Sequence, residues 1–122
     1  MVNASISGSI VNISSTRGNK EVGPLSSVYD ATKVGVESVT RSVAEEMAQH
    51  GIRCNTVRPG FIETPLSFKV AEPEYLQSIV EKTPLGRGGK PEEIANVVHF
   101  LISDKSSFMT GESVQVSGGY YM

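Results

Sequence analysis

Apolar residues in this chain fall into three short runs separated by two longer stretches of helical spacing. Residues 9–13 form a β-branched run that predicts a buried strand. Residues 16–25 hold Gly18, Gly23 and Pro24 and predict a loop. Ser26 or Ser27 can cap a helix running to about His50. Its apolar positions Val36, Val39, Val43 and Met47 recur at spacings of three and four, which marks a core face. Gly51 suits the helix stop. Residues 52–57 predict a second strand, with Cys54 as a small core residue, and Pro59-Gly60 breaks it. Residues 61–89 are irregular apart from a short helix expected between Pro73 and Lys82. A connection of that length suits a lid or binding loop. Pro91, Glu92 and Glu93 read as a helix first turn, because proline needs no donor there and carboxylates favour the positive end. Ile94, Val97, Val98 and Leu101 supply its apolar stripe. Residues 113–116 predict a third strand, ended by Gly118-Gly119. Strands alternating with helices predict an α/β fold with three parallel strands.

Composition narrows the function classes. At 122 residues the chain can build a single core. With 11 basic and 13 acidic residues there is no basic excess for nucleic acid. The apolar runs are too short to span a membrane. The opening Met-Val-Asn-Ala-Ser-Ile-Ser-Gly lacks the basic and apolar regions of a secretory signal. The single Cys54 cannot form an internal disulfide and fits a reducing compartment, the cytoplasm or the mitochondrion. With His50 and His99 as the only histidines, no metal site is expected.

The chemistry sits in Tyr29-Asp-Ala-Thr-Lys33, which follows the Ser14-Ser15 pair closing the first strand. A tyrosine and a lysine four apart share one helix face, so an ammonium can reach the phenol. A free phenol has a pKa of roughly 10 and exchanges protons poorly at neutral pH. A neighbouring cation favours the phenolate and brings the group toward useful acid–base chemistry. A serine hydroxyl beside the phenol can hold a carbonyl or hydroxyl for proton transfer.

Taken in order, Gly8–Ser15, Tyr29–Lys33, Arg58-Pro59-Gly60-Phe61-Ile62-Glu63-Thr64-Pro65, Thr110-Gly111-Glu112 and Ser117-Gly118-Gly119 resemble the short-chain dehydrogenase/reductase family. The likeness is strongest to its 3-oxoacyl-carrier-protein reductase-like and small carbonyl reductase branches. It implies the C-terminal, catalytic half of a doubly wound Rossmann-like sheet, with a substrate lid at 61–89. Ser15, Tyr29 and Lys33 match the family's catalytic residues. Tyr29 and Lys33, with Pro59, Gly60, Ile62 and Thr64, match its contacts to NAD or NADP. Asn55 matches a structural asparagine, while Ser14 supports the strand end. The implied partners are a small carbonyl or alcohol substrate (a 3-oxoacyl, steroid or sugar-like ketone) and other copies of the full-length chain.

A dinucleotide needs a glycine-rich turn between an opening strand and a helix N-terminus. No such opening precedes residue 9, and Gly86-Arg87-Gly88-Gly89 has neither the spacing nor a preceding strand. A second reading is therefore an enzymatically silent fragment or isoform acting as an interaction module. The isolated 122-residue chain is expected neither to bind a nicotinamide dinucleotide tightly nor to turn over, and to associate through an open edge at 9–13. Cofactor fluorescence and sedimentation check this; micromolar binding by a monomer would contradict it.

Overall fold

The computed structural model describes residues 1–4, 6–19 and 25–121; Gly23 and Pro24 of the first loop lie outside the described residues. Its strands are β1 (Gly8–Ile13), β2 (Ile52–Pro59) and β3 (Ser113–Val116), in the order β1-β2-β3 and parallel throughout. Its helices are α1 (Ser27–Met47), α2 (Pro65–Val70), α3 (Pro73–Lys82) and α4 (Pro91–Ile102). Short 3-10 turns occupy Val2–Ala4, Ala48–His50 and Asp104–Ser106. The expected α/β fold with three parallel strands is what forms. The register pairs Ile10 with Cys54, Asn12 with Thr56, and Thr56 with Ser113.

Alternation along the strands sorts side chains onto two faces. On one face Ser9 Oγ and the Arg53 guanidinium donate to the Leu101 carbonyl, at 2.9 and 3.0 Å, pinning the end of α4. Leu101 itself is fully buried there. Asn55, also fully buried, donates to the Met109 carbonyl and accepts from the Glu112 N–H, so its role is structural. α1 covers the other face.

The inner face of α1 differs from the apolar stripe that periodicity picks out. Its buried residues are Asp30, Glu37, Thr40 and Ala44; Val36, Val43 and Met47 of the stripe are half-buried beside them, whereas Val39 is 59% exposed. The reason is that the sheet offers α1 polar partners. Asn12 Nδ2 and Thr56 Oγ1 both donate to Thr40 Oγ1, at 2.9 and 2.8 Å, and Thr40 in turn donates to the Val36 carbonyl. Glu37 Oε1 accepts from Ser14 Oγ and Asn19 Nδ2, and Arg58 lies 3.8 Å from Glu37 Oε2. Hydrogen bonds that need burial outcompete valines that merely gain from it. Ser26 precedes the helix, but its hydroxyl bonds the Asp30 carboxylate instead of capping the backbone. Gly51 stops the helical run with φ +68°.

The connection 61–89 holds two helices, where the irregular pattern leads one to expect only the second. α2 has an N-terminal signature: Thr64 caps it through Ser67 N–H, with Pro65 in the first turn. The two ends of the connection are joined by an isolated bridge between Ile62 and Gly89.

Urea unfolding separates the two accounts of α1. Thr40→Val should cost about 1–3 kcal/mol by stranding Asn12 and Thr56, and Glu37→Ala about 3–5 kcal/mol by leaving Arg58 uncompensated. Val39→Thr should stay within about 0.5 kcal/mol; a larger loss there than at Thr40 would restore the valine stripe as the core face.

Candidate active site

The β1–β2 ladder continues past the end of β1. Ser14 N–H bonds the Val57 carbonyl at 2.8 Å and Thr16 N–H bonds the Pro59 carbonyl at 3.1 Å. Ser15 is therefore held between two tether points at the carboxyl end of the sheet, where ligands bind in open α/β folds. Its hydroxyl accepts the Arg17 N–H at 3.1 Å, closing a local turn and leaving its own proton free to donate.

Across the gap, the first turn of α1 presents Tyr29, which is 47% exposed. The Lys33 ammonium sits over its ring, 5.6 Å from the centroid. Lys33 Nζ also donates to the Ile13 carbonyl at 3.0 Å, and Ser14 Oγ shares its single proton between the Lys33 carbonyl at 2.8 Å and Glu37 Oε1 at 3.0 Å. Lysine and strand end are thus tied together at both ends of the side chain.

Ser15, Tyr29 and Gly60 line one cavity of about 430 Å3. Lys33 stands behind Tyr29, outside that lining, and Pro59 supports it as the acceptor for Thr16. Gly60 is needed for its lack of a side chain, because a Cβ there would fall 2.8 Å from the Ser117 Cβ. Ile62 and Thr64 are not brought into the cavity. Ile62 lines a separate space of about 100 Å3, and the Thr64 side chain caps α2. Leu66, Tyr75, Leu76 and Ile79 of the wall lie in segment 61–89 but were not singled out, and Tyr120 from beyond β3 and Arg17 were not anticipated. The Thr64-Pro65 pair was the available signal for the α2 part of it.

Cys54 is fully buried, and burial pushes its thiol up, so it remains a packing thiol. At the far end of segment 61–89 Arg87 grips Glu93 with two bonds of 2.8 and 2.7 Å, and Glu93 Oε2 also accepts the Lys90 N–H. These bonds, the arginine's first, hold the Glu93 carboxyl at about 2 against an ordinary 4.5.

Residues 1–121 match the family model described as enoyl-(acyl carrier protein) reductase. The chain belongs to the short-chain dehydrogenase/reductase family. Short-chain dehydrogenase/reductase relatives include the (3R)-3-hydroxyacyl-CoA dehydrogenase of Canis lupus familiaris, 45% identical over all of this chain and 46% of that protein. The estradiol 17-beta-dehydrogenase 8 of Callithrix jacchus is 45% identical over 93% of this chain and 83% of its own length. A solved 3-oxoacyl-[acyl-carrier protein] reductase with bound NAD from Brucella melitensis superposes with a TM-score of 0.88 at 41% identity, covering all of this chain and 44% of that one. The chain spans about half the length of most of the curated relatives it matches. Among the described residues no helix is long and apolar enough to cross a membrane, and no group of three or more His, Cys, Asp or Glu could hold a metal ion.

The depressed Glu93 carboxyl gives a pH prediction. Its contribution to the clasp is complete above about 4.5 and is lost as pH falls through about 2. A carboxyl titration by NMR should place Glu93 near 2, and Arg87→Gln should return it toward 4.5; a normal midpoint in the unmodified chain would dissolve the clasp.

Proposed function

We propose that residues 1–122 form the catalytic half of an NAD(P)-dependent oxidoreductase that reduces a ketone or oxidises a secondary alcohol. The observation that carries this reading is the meeting of Ser15, Tyr29 and Gly60 around one cavity, with an ammonium over the tyrosine ring. The names of the relatives support it, since they describe dehydrogenases and reductases of hydroxyacyl, oxoacyl and steroid compounds.

The donors present suit a nicotinamide nucleoside. Lys33 spends one N–H on the Ile13 carbonyl and keeps two for ribose hydroxyls, while the Tyr29 hydroxyl has no protein partner among the described residues. Tyr29, Lys33, Pro59 and Gly60 would hold it, with Ile62 and Thr64 flanking. When bound, NAD or NADP supplies or accepts the hydride. Ser15 donates its free proton to the substrate oxygen and orients it. Tyr29 delivers a proton to that oxygen in reduction, or removes it in oxidation. Lys33 stabilises the phenolate that Tyr29 leaves behind.

Segment 61–89 serves as the substrate lid, because α2 and α3 wall the cavity that Tyr29 faces. Exposed Val28, Val39 and Phe108 suit association with further copies of the chain, in the cytoplasm or mitochondrion. A second reading, an interaction module without activity, is favoured by the position of β1 at the side of the sheet and by Ile13, 45% exposed.

Grafting the chain in place of the matching half of the Brucella melitensis reductase tests the two readings. The graft should oxidise NADPH or NADH with a ketone substrate. Tyr29→Phe should lower kcat by about 10²–10⁴-fold with cofactor affinity nearly unchanged, since the ring stays and only the proton is lost. Substantial turnover in that variant points to another acid, and a folded but inactive graft favours the interaction module.

A further inference from the structure

We infer that Arg17 determines specificity in this cavity by binding a carboxylate on the substrate, so that the ketone is that of a free keto acid. The inference rests on the assignment of Ser15 and Tyr29 above. Among the described residues Arg17 is the one charged residue lining the cavity, whose walls are otherwise apolar, aromatic or hydroxylic. It lies two positions after Ser15 and is fixed on both sides. Its N–H bonds Ser15 Oγ, and the next residue, Gly18 at φ +86°, presses on α1 so closely that a Cβ would sit 2.7 Å from the Asp30 carbonyl oxygen.

The side chain is aimed as well. Arg17 Nε stands 3.4 Å from Asp30 Oδ1, and Asp30 is 6% exposed with its other oxygen accepting the Ser26 hydroxyl at 2.7 Å. The strongest counter-ion geometry for an arginine grips the carboxylate with two parallel bonds. Here the contact is one long approach through Nε, which is buried and makes no hydrogen bond. Among the described residues neither Nη nitrogen has a hydrogen-bond partner, so four N–H donors stand in the fork geometry that carboxylates match. Asp30 spares the guanidinium the cost of standing alone beside apolar walls, and leaves that fork open. A neutral acyl thioester offers it single carbonyl oxygens; a keto acid offers the two-oxygen anion that the fork matches.

The test titrates the 122-residue chain with 4-oxopentanoate and with its methyl ester, by calorimetry and by the Arg17 Nε–Hε signal in NMR. The acid should bind at least about tenfold more tightly than the ester and should shift that signal. Arg17→Gln should reduce the acid to the ester's affinity and leave the ester unchanged. Arg17→Lys, which keeps the charge but not the fork, should retain only part of the preference. Equal affinities in the unmodified chain, no detectable binding of the acid, or a preference surviving Arg17→Gln would overturn the inference. Turnover by the graft keeps the two assignments separable. If the ester is turned over and the acid is not preferred, Arg17 alone is misassigned. If the acid is preferred in binding and neither ketone turns over, the Tyr29 assignment alone fails.

Discussion

The contact between α1 and the sheet is polar, and the geometry of the cavity follows from it. Thr40 joins Asn12 of β1 and Thr56 of β2, while Glu37 joins Ser14, Asn19 and Arg58. Apolar packing tolerates small slides of one element on another, whereas hydrogen bonds near 2.8 Å do not. Two of these three partners of Glu37 border a residue of the site: Ser14 precedes Ser15, and Arg58 precedes Pro59-Gly60. A buried ion pair adds little net stability once desolvation is counted. What this one supplies is register, since a shift of α1 would move Tyr29 and Lys33 away from the strand ends they face.

The opposite wall depends on closing a loop. Residues 61–89 would be costly to order if only their ends were fixed at random. The ends are instead bonded to each other, Glu63 N–H to the Gly89 carbonyl and Gly89 N–H to the Phe61 carbonyl, at 2.8 and 2.9 Å. The clasp of Arg87 on Glu93 ties the same junction to α4. α2 and α3 therefore hang from a rigid base, and movement of the wall relative to Tyr29 is confined to what lies between. Leu85 N–H on the Gly118 carbonyl links that base to the turn after β3, which brings Tyr120 into the cavity.

The fold was legible because strand runs are short and β-branched, and because Gly51, Pro59 and Pro91 mark where elements stop and start. Ser15, Tyr29 and Gly60 were legible from spacing and resemblance, and they meet around one cavity. The core face of α1 was not, because hydrophobic periodicity cannot see that Thr40 and Glu37 have buried polar partners 28 and 23 positions away. The cap that Thr64 forms on α2 was legible only in hindsight, in the Thr64-Pro65 pair, because the residues that follow lack helical spacing. Arg17 carried no signal at all. Its position in the cavity depends on Gly18 folding the chain onto α1 and on Asp30, thirteen residues later, turning inward.

α1 carries two carboxylates and a threonine on its inner face beside Ala44, and leaves Val28 and Val39 outside, 77% and 59% exposed. Leaving such valines in water forfeits roughly 25 cal/mol for every Å2 that a partner could cover. A partner that did cover them would press on the helix whose other face sets Tyr29, Lys33 and Asp30. The inner face is held by directional bonds, so the same helix that offers these valines also fixes the hydroxyl, the ammonium and the carboxylate beside the strand ends.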